Sequence, residues 1–245
     1  MKQAIKNLIK RLPIAFTKNQ QYDRDTKRVL NVVLSASSNC IDIGCHKGEI
    51  MDEFLQRAPQ GQHYGFEPIP NMYRALVSKY AQHPNVHIHE LALSDKLGST
   101  RFNYVSSNPA YSGMLKRQYD RPEEQDQQIT VATNLLDNMI EAQTAITLIK
   151  IDVEGGEYQV LQGAKQTIAR TKCLVIFEHG LGASDVYGTT PQMIFIYFAS
   201  INYNITTMAA WLKQKAPFNE QQFVEQFMQK KNYYFLAYSA TKQVK

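Results

Sequence analysis

Short runs of apolar residues alternate along the chain with longer segments in which apolar residues recur every three or four positions. The first pattern is typical of strands buried on both faces of a sheet, and the second of helices that cover those faces. Strands are predicted over residues 40–43, 63–67, 86–93, 99–105, 128–133, 147–153, 173–177, 203–208 and 233–238. Helices are predicted over residues 26–34, 49–58, 71–80, 158–170, 191–200 and 219–230. This alternation predicts an α/β fold with a mostly parallel sheet.

Residues 99–133 interrupt the alternation and form a predicted insertion. Two segments of alternating polarity, typical of strands with one exposed face, flank the polar stretch 106–126. A loop this long inside a domain is usually either functional or disordered. It contains Tyr111 and Ser112, which we expect to contact a substrate if the loop is a lid; a merely mobile loop is the alternative.

The first predicted strand ends in a glycine turn. Residues 39–48 read N-C-I-D-I-G-C-H-K-G, so that a strand carrying one carboxylate, Asp42, stops at Gly44, and a helix opens after Gly48. In a doubly wound sheet this is a common place for a nucleotide-like ligand, because glycine allows close backbone approach and the helix offers free N–H groups. A tight turn that binds nothing explains the motif equally well.

Other predicted strands also end in polar residues. Glu67 ends the second strand, 19 positions after Gly48, where an acidic residue can accept hydrogen bonds from both hydroxyls of a ribose. Because the carboxyl ends of parallel strands meet at one edge, several such residues are expected to lie together. They are Asp42, Gly44, Glu67, Ala92, Lys150, Asp152, Glu154, Glu178 and His179. Each has a structural explanation, such as helix capping, but burying so many carboxylates at one edge is costly and favours a functional site.

Composition limits the classes of protein. The chain has 245 residues, of which 44% are hydrophobic and 20% charged, so we expect a single domain over residues 1–245. No apolar run reaches the roughly 18 residues of a membrane-spanning helix, and no signal peptide is apparent. The three cysteines, at positions 40, 45 and 173, match no zinc or disulfide spacing. A cytoplasmic location is therefore expected.

The net charge of +5 is concentrated near the N-terminus. Residues 1–30 contain eight basic and two acidic residues, whereas the rest of the chain contains 19 basic and 20 acidic residues. This distribution argues against nucleic-acid binding, which needs a basic face on the domain itself. Residues 1–35 predict a basic helical extension, whose apolar residues Ile5, Leu8, Ile9 and Leu12 either contact a membrane surface or pack on the edge of the domain.

Four sequence blocks together resemble the FkbM family of S-adenosylmethionine-dependent methyltransferases. They are C-I-D-I-G-C-H-K-G, G-F-E-P-I-P-N-M-Y, L-A-L-S-D and L-I-K-I-D-V-E-G-G-E-Y-Q-V-L-Q-G-A, in family order over about residues 39–178. The resemblance implies the class I methyltransferase fold, a Rossmann-like, doubly wound sheet of seven strands whose last strand is antiparallel. The predicted strands 203–208 and 233–238 suit that closing pair.

The resemblance also implies roles for individual residues. Asp42, Gly44 and Gly48 match the loop that holds the methionine end of the cofactor. Cys45 belongs to the same loop, although such loops more often have Ala-Asn where this chain has Cys45-His46. Glu67 matches the acid that binds the ribose hydroxyls, Ala92 and Leu93 the segment beside the adenine, and Asp152 the acid beside the methyl group.

A sulfonium cofactor delivers an activated methyl group, so the protein mainly has to align donor and acceptor. A hydroxyl acceptor still requires a base or a metal to remove its proton. Asp152, Glu178 and His179 are the candidates, with Asp152 and His179 preferred, whereas Lys150 and Glu154 are expected to contact substrate. A divalent metal is compatible with this carboxylate–histidine group, but the spacing does not demand one.

Several functions remain open at this point. The preferred one is O-methylation of a sugar, glycan or secondary metabolite. A nicotinamide-dependent oxidoreductase shares Gly44 and Glu67 but would have a G-x-G-x-x-G turn, which is absent. A catalytically inactive, methyltransferase-like scaffold is a further alternative, and the basic N-terminal segment would suit an enzyme that acts on a lipid-linked glycan at a membrane surface.

Overall fold

The computed structural model describes residues 17–117, 119 and 123–241. The strands are β1 (Cys40–Ile43), β2 (His63–Phe66), β3 (Val86–His89), β4 (Ala92–Leu93), β5 (Gly98–Val105), β6 (Asp126–Asn134), β7 (Leu148–Ile151), β8 (Leu174–Glu178), β9 (Tyr203–Thr206) and β10 (Tyr234–Ser239). The helices are α1 (Lys18–Val33), α2 (Glu49–Arg57), α3 (Pro70–Lys79), α4 (Leu136–Met139), α5 (Glu157–Gly163), α6 (Lys165–Thr171), α7 (Pro191–Ser200), α8 (Met208–Trp211) and α9 (Glu220–Met228).

Seven strands form the central sheet in the order β3-β2-β1-β7-β8-β10-β9. In this sheet the neighbouring strands β3, β2, β1, β7 and β8 are all parallel, whereas β10 runs antiparallel to both β8 and β9. The predicted seven-stranded class I fold with an antiparallel closing strand is therefore confirmed. The central strands β1 and β7 are buried at every position, which explains why they read as continuous apolar runs.

The predicted insertion forms a second, three-stranded sheet. β5 and β6 pair antiparallel over their whole length, and the short strand β4 pairs with β6 in parallel. The prediction of one continuous strand over residues 86–93 is wrong, because the chain leaves the central sheet after His89 and enters the small sheet at Ala92. The exposed Glu90 lies at this change of direction.

Two helix predictions also need correction. The predicted helix 158–170 is divided at Ala164 into α5 and α6. The predicted helix 26–34 begins earlier, at Lys18, where Thr17 and Gln20 form a capping box. The apolar stripe from Ile5 to Leu12 lies outside the described residues. Within the described part, no helix is long and apolar enough to cross a bilayer.

Apolar layers cover both faces of the central sheet. On one face, Ile43, Val175 and Phe177 pack against Val160 and Ile168 of α5 and α6. The opposite face packs against α1, α2 and α8, and its buried members include Val29, Phe54 and Trp211. This arrangement leaves the carboxyl ends of β1, β2 and β7 open at one edge of the sheet.

Candidate functional site

A cavity of about 740 Å³ lies at the carboxyl ends of β1, β2 and β7. Its volume falls within the range of roughly 300–1,000 Å³ that is usual for small-molecule sites. Its lining comes from the turn after β1, the ends of β2 and β7, the 109–114 segment, α1 and β10. Of the residues that the sequence suggested, Asp42, Gly44, Cys45, Glu67, Ala92, Leu93, Ser112, Lys150, Asp152 and Glu154 line it.

Asp42 sits in the central strand β1, between Gly65 of β2 and Lys150 of β7. Its carboxyl group is buried, and its Oδ1 has no hydrogen-bond partner among the described residues. Burial raises the pKa of Asp42 to about 7, although the positive charge of Lys150 opposes the rise. The cavity lining therefore includes a buried oxygen acceptor that no donor of the described residues contacts, and a ligand donor could satisfy it.

The turn after β1 requires glycine at Gly44. Its φ is +85°, and a Cβ added there would lie 1.9 Å from the backbone oxygen of Asp152. This close approach brings the turn against the end of β7. Gly48 serves a different purpose: a Cβ there would meet the Tyr80 hydroxyl at 2.3 Å, and Gly48 does not line the cavity.

Glu67 follows β2, and two backbone N–H groups hold its carboxylate. Oε2 accepts a hydrogen bond from the N–H of His46 at 2.9 Å, and Oε1 accepts one from the N–H of Ile69 at 3.0 Å. Burial raises the pKa of Glu67, and these two donors oppose that effect. Because a carboxylate oxygen can accept more than one hydrogen bond, both oxygens remain available to a ligand.

Three polar side chains surround Asp152, which immediately follows β7. Nζ of Lys150 lies 2.9 Å from Oδ2 of Asp152, and the Tyr234 hydroxyl donates a hydrogen bond to the same oxygen. Burial would raise the pKa of Asp152, but the charge of Lys150 and the Tyr234 hydroxyl lower it. Glu178 also shares a hydrogen bond with Asp152, and burial and the Asp152 charge raise the pKa of Glu178 well above its usual range. The surroundings therefore favour the protonated form of Glu178 and the carboxylate form of Asp152.

Glu154 connects the turn after β7 with the loop between β5 and β6. It adopts the left-handed conformation, with φ of 59°, and its carboxylate forms an ion pair with Arg117 of that loop. Oε1 of Glu157 supports the turn, accepting hydrogen bonds from the N–H groups of Val153 and Gly155 at 3.0 and 3.2 Å. The turn therefore holds Glu154 at the cavity.

The loop between β5 and β6 forms one wall of the cavity. The N–H of Leu115 donates to the Tyr187 hydroxyl at 2.9 Å, which joins the loop to the segment after β8. Tyr111 lies outside the cavity lining: its ring stacks on Tyr119 at 6.2 Å, and the Arg117 guanidinium lies over it at 5.1 Å. Ser112 does line the cavity, and its Oγ accepts a hydrogen bond from the backbone of β5.

His179 lies on the side of β8 that faces away from the cavity. Its ring is fully buried and stacks on Phe227 at 4.6 Å and on Phe223 at 5.9 Å, and neither ring nitrogen has a partner among the described residues. Burial lowers the pKa of His179 to about 4. The position does not fit the role of base that the sequence suggested, because successive residues of β8 point to opposite faces and Glu178 takes the side near Asp152.

Asp152, Glu154 and Glu178 could in principle hold a metal ion, because one oxygen of each lies within 4.8 Å of the others. However, Lys150 already pairs with Asp152 and Arg117 already pairs with Glu154, while burial and the Asp152 charge favour the uncharged form of Glu178. A divalent ion would have to compete with both cations. The donor set therefore does not fit a resident metal, and no step is assigned to one.

Sequence reasoning missed four residues near the cavity. Tyr234 and Arg117 reach Asp152 and Glu154 from distant parts of the chain, and Tyr22 and Arg24 line the cavity from α1. Only Tyr234 had a detectable signal, since pairing of the last strand with β8 places it opposite Glu178. The other three depend on how α1 and the loop fold back over the sheet.

Comparisons with known proteins identify the family and the relatives of this chain. Residues 42–235 match the family model described as the methyltransferase FkbM domain. The 2-O-methyltransferase NoeI of Sinorhizobium fredii is 26% identical over an alignment of 158 residues, and the match covers 60% of this chain and 65% of NoeI. Methyltransferase FkbM from Methylobacillus flagellatus KT superimposes with a TM-score of 0.52 at 16% identity, covering 84% of this chain and 44% of that one. The chain thus spans less than two thirds of either relative, and the structural match shows the fold alone.

Proposed function

The chain belongs to the FkbM methyltransferase family, and from this premise we propose that it transfers the methyl group of S-adenosylmethionine to a hydroxyl oxygen of a sugar, a glycan or a related secondary metabolite. The observation that carries the proposal is the meeting of Asp42, Glu67 and Asp152 around one cavity at the carboxyl ends of β1, β2 and β7. The match to a 2-O-methyltransferase supports oxygen as the acceptor atom.

The residues that line the cavity fit the proposed cofactor. The cofactor carries an ammonium group, and the buried Oδ1 of Asp42 is an acceptor that lacks a donor within the described part of the chain. The carboxylate of Glu67 has capacity for two ribose hydroxyls beyond its two backbone donors. Phe66 and Leu93 supply apolar surface for the adenine. When bound, the cofactor supplies an activated methyl group.

The chain's own contribution is to position the acceptor and to receive its proton. Asp152 is held as a carboxylate by Lys150 and Tyr234, and it lines the cavity. A carboxylate has about four acceptor positions, and the contacts from Lys150, Tyr234 and Glu178 leave one for the acceptor hydroxyl. Asp152 then orients that hydroxyl and takes its proton as the oxygen loses electron density. Its low pKa makes it a weak base, so alignment contributes more than proton abstraction.

Sugar hydroxyls suit this cavity because carboxylates are good acceptors for them. Asp152 and Glu154 both line the cavity, and Ser112 adds a hydroxyl group. The expected stacking of a sugar on Tyr111 is not part of the proposal, since that ring is covered by Tyr119 and Arg117. Contact of residues 1–30 with a membrane, and a cytoplasmic location, remain predictions.

Two other functions would use the same fold. An inactive scaffold would have little reason to keep Asp42 and Glu67 buried around the cavity that Asp152 also lines, since burying a carboxylate costs desolvation energy. A nicotinamide-dependent oxidoreductase offers no explanation for the Lys150–Asp152–Tyr234 cluster. Both alternatives predict no methyl transfer.

The proposal is tested by incubating the protein with S-adenosylmethionine labelled in the methyl group and a panel of methyl glycosides, amines and thiols. The proposal expects label in a sugar ether, identified by mass spectrometry. Asp152→Asn should lower the rate by about a hundredfold or more, whereas the control Asp185→Asn, outside the cavity lining, should leave it unchanged. Label in amines or thiols only, or in no acceptor, would contradict the proposal.

A further inference from the structure

One cation that lines the cavity, Arg24, has no partner among the residues that the structure describes. The described basic side chains of the lining, histidine aside, are Arg24, Lys27 and Lys150. Nζ of Lys27 lies 2.8 Å from Oε1 of Glu53, and Nζ of Lys150 lies 2.9 Å from Oδ2 of Asp152. The partly buried Arg24 makes no ion pair or hydrogen bond within residues 17–117, 119 and 123–241. An arginine that lines a cavity and has no partner in this described part of the chain is available to an anion.

Helix α1 holds Arg24 in a fixed place. At its N-terminal end, Nζ of Lys18 donates to the backbone oxygens of Lys230 and Lys231 at 2.9 and 3.1 Å. One turn later, the Tyr22 hydroxyl donates to Oδ1 of Asn232 at 3.1 Å. Arg24 therefore lies on an anchored element, which suits a binding residue better than a loop does.

The contacts between α1 and α2 show which end of the cavity Arg24 faces. Lys27 pairs with Glu53, and Arg57 donates a hydrogen bond to Asn31, so the two helices run side by side in the same direction with a constant offset. One turn earlier, this register places Arg24 level with Ile50, in the first turn of α2. That turn directly follows the Gly44–Gly48 segment, whose resemblance to the family assigns it to the methionine end of the cofactor.

The remaining charges of the cavity favour one ligand group at this place. Asp42, Glu49, Glu67 and Glu154 also line the cavity, so a ligand carboxylate would be repelled unless a cation received it. The proposed cofactor carries one carboxylate, on its methionine moiety. A guanidinium matches a carboxylate with two parallel hydrogen bonds.

We propose that Arg24 binds the carboxylate of the cofactor's methionine moiety, an inference that rests on the proposed function. Arg24 precedes residues 42–235, which match the family model, so the assignment comes from this chain's own extension and not from the family domain. The helix α1 is then part of the binding site rather than a peripheral addition to the fold.

The test compares two ligands on four proteins by isothermal titration calorimetry. The ligands are S-adenosylhomocysteine and its decarboxylated analogue, which keeps the amine but lacks the carboxylate. The proteins are the wild type, Arg24→Met, Arg24→Lys and Arg28→Met. Arg28 is a matched control, because it lies on the same helix, is exposed and lies outside the cavity lining.

Arg24→Met should lower the affinity for S-adenosylhomocysteine by about ten- to a hundredfold, which is the usual effect of losing a charged hydrogen-bonding pair. The same variant should bind the decarboxylated analogue as the wild type does, which also shows that it is folded. Arg28→Met should leave both affinities unchanged. Arg24→Lys should recover part of the lost affinity, because it restores the charge without the paired hydrogen bonds.

Three results would overturn the assignment. Equal weakening of both ligands by Arg24→Met would mean that Arg24 supports the fold or another part of the ligand. Unchanged affinity for S-adenosylhomocysteine would mean that its carboxylate binds elsewhere. Failure of the wild type to bind either ligand would overturn the cofactor proposal itself, and the assignment of Arg24 with it.

Discussion

The hydroxyl of Tyr234 donates a hydrogen bond to Oδ2 of Asp152, which joins the antiparallel last strand of the sheet to the end of β7. Nζ of Lys150 contacts the same oxygen. Both donors favour the charged form of Asp152, whereas burial and the Asp152 charge raise the pKa of Glu178 beside it. The closing strand of the fold thus contributes directly to the charge state of the candidate catalytic group.

Removing this hydroxyl should raise the pKa of Asp152, because the carboxylate loses one donor. Tyr234→Phe tests this by ¹³C NMR titration of protein labelled at the aspartate carboxyl carbons, with Asp152→Asn to assign the signal. Tyr238→Phe, on the same strand, should leave the titration unchanged. An Asp152 titration that Tyr234→Phe does not move would show that Lys150 alone sets the charge.

Affinity for S-adenosylhomocysteine should increase with pH across neutrality. Burial raises the pKa of Asp42 to about 7, so Asp42 is mostly neutral at pH 6 and mostly ionised at pH 8. If the ligand's ammonium needs the ionised form, the affinity should rise about tenfold over this interval. Calorimetry at several pH values measures it. Asp42→Asn should bind more weakly and lose the dependence, and a wild-type affinity that is flat with pH would contradict the pairing.

Gly44 should tolerate no side chain. Gly44→Ala combines a positive φ with a Cβ 1.9 Å from the Asp152 backbone, so we expect a loss of roughly 3 kcal/mol or more in the free energy of unfolding. Gly182 has a similar φ of +96° but nothing within 4 Å, so Gly182→Ala should cost only about 1–2 kcal/mol. Urea denaturation compares the two variants. Equal losses would show that backbone conformation alone, and not the contact with Asp152, requires glycine.

His179 should act on stability and not on ligand binding. Burial lowers its pKa to about 4, so the folded state keeps it neutral while the unfolded chain is protonated below about pH 6.5. Because only the unfolded state binds this proton between about pH 6.5 and 4, the free energy of unfolding decreases as the pH falls through that interval. His179→Phe has no such proton to bind. When the pH is lowered from 7 to 5, the wild type should therefore lose about 2 kcal/mol more of its free energy of unfolding than this variant does. Affinity for S-adenosylhomocysteine should not change; a tenfold loss would place His179 back in the site.

The centre of the main sheet could be predicted because β1 and β7 are buried on both faces and therefore read as apolar runs. Asp42, Glu67 and Asp152 followed from the same logic, since each stands at the carboxyl end of such a run. The break between β3 and β4 escaped prediction because Ala92 and Leu93 are as apolar as the strand before them. The pattern of apolar residues in a sequence indicates which residues are buried, but it does not indicate which sheet buries them.

The remaining parts of the site depend on tertiary contacts. Arg117 and Glu154 are 37 positions apart, and Tyr234 and Asp152 are 82 positions apart, so no local pattern links them. His179 follows the acidic end of a strand as a functional histidine would, yet the alternation of side chains turns it into the core. The role of Arg24 depends on the register between α1 and α2, which only the folded structure contains.

The most direct test of the whole account is calorimetric titration of S-adenosylhomocysteine into the wild type, Glu67→Ala and Glu90→Gln. Glu67 lines the cavity, whereas Glu90 is an exposed acid after β3 and serves as the control. The account predicts micromolar binding by the wild type, a loss of about tenfold or more in Glu67→Ala, and no change in Glu90→Gln. No binding by the wild type, or equal binding by the wild type and Glu67→Ala, would contradict it.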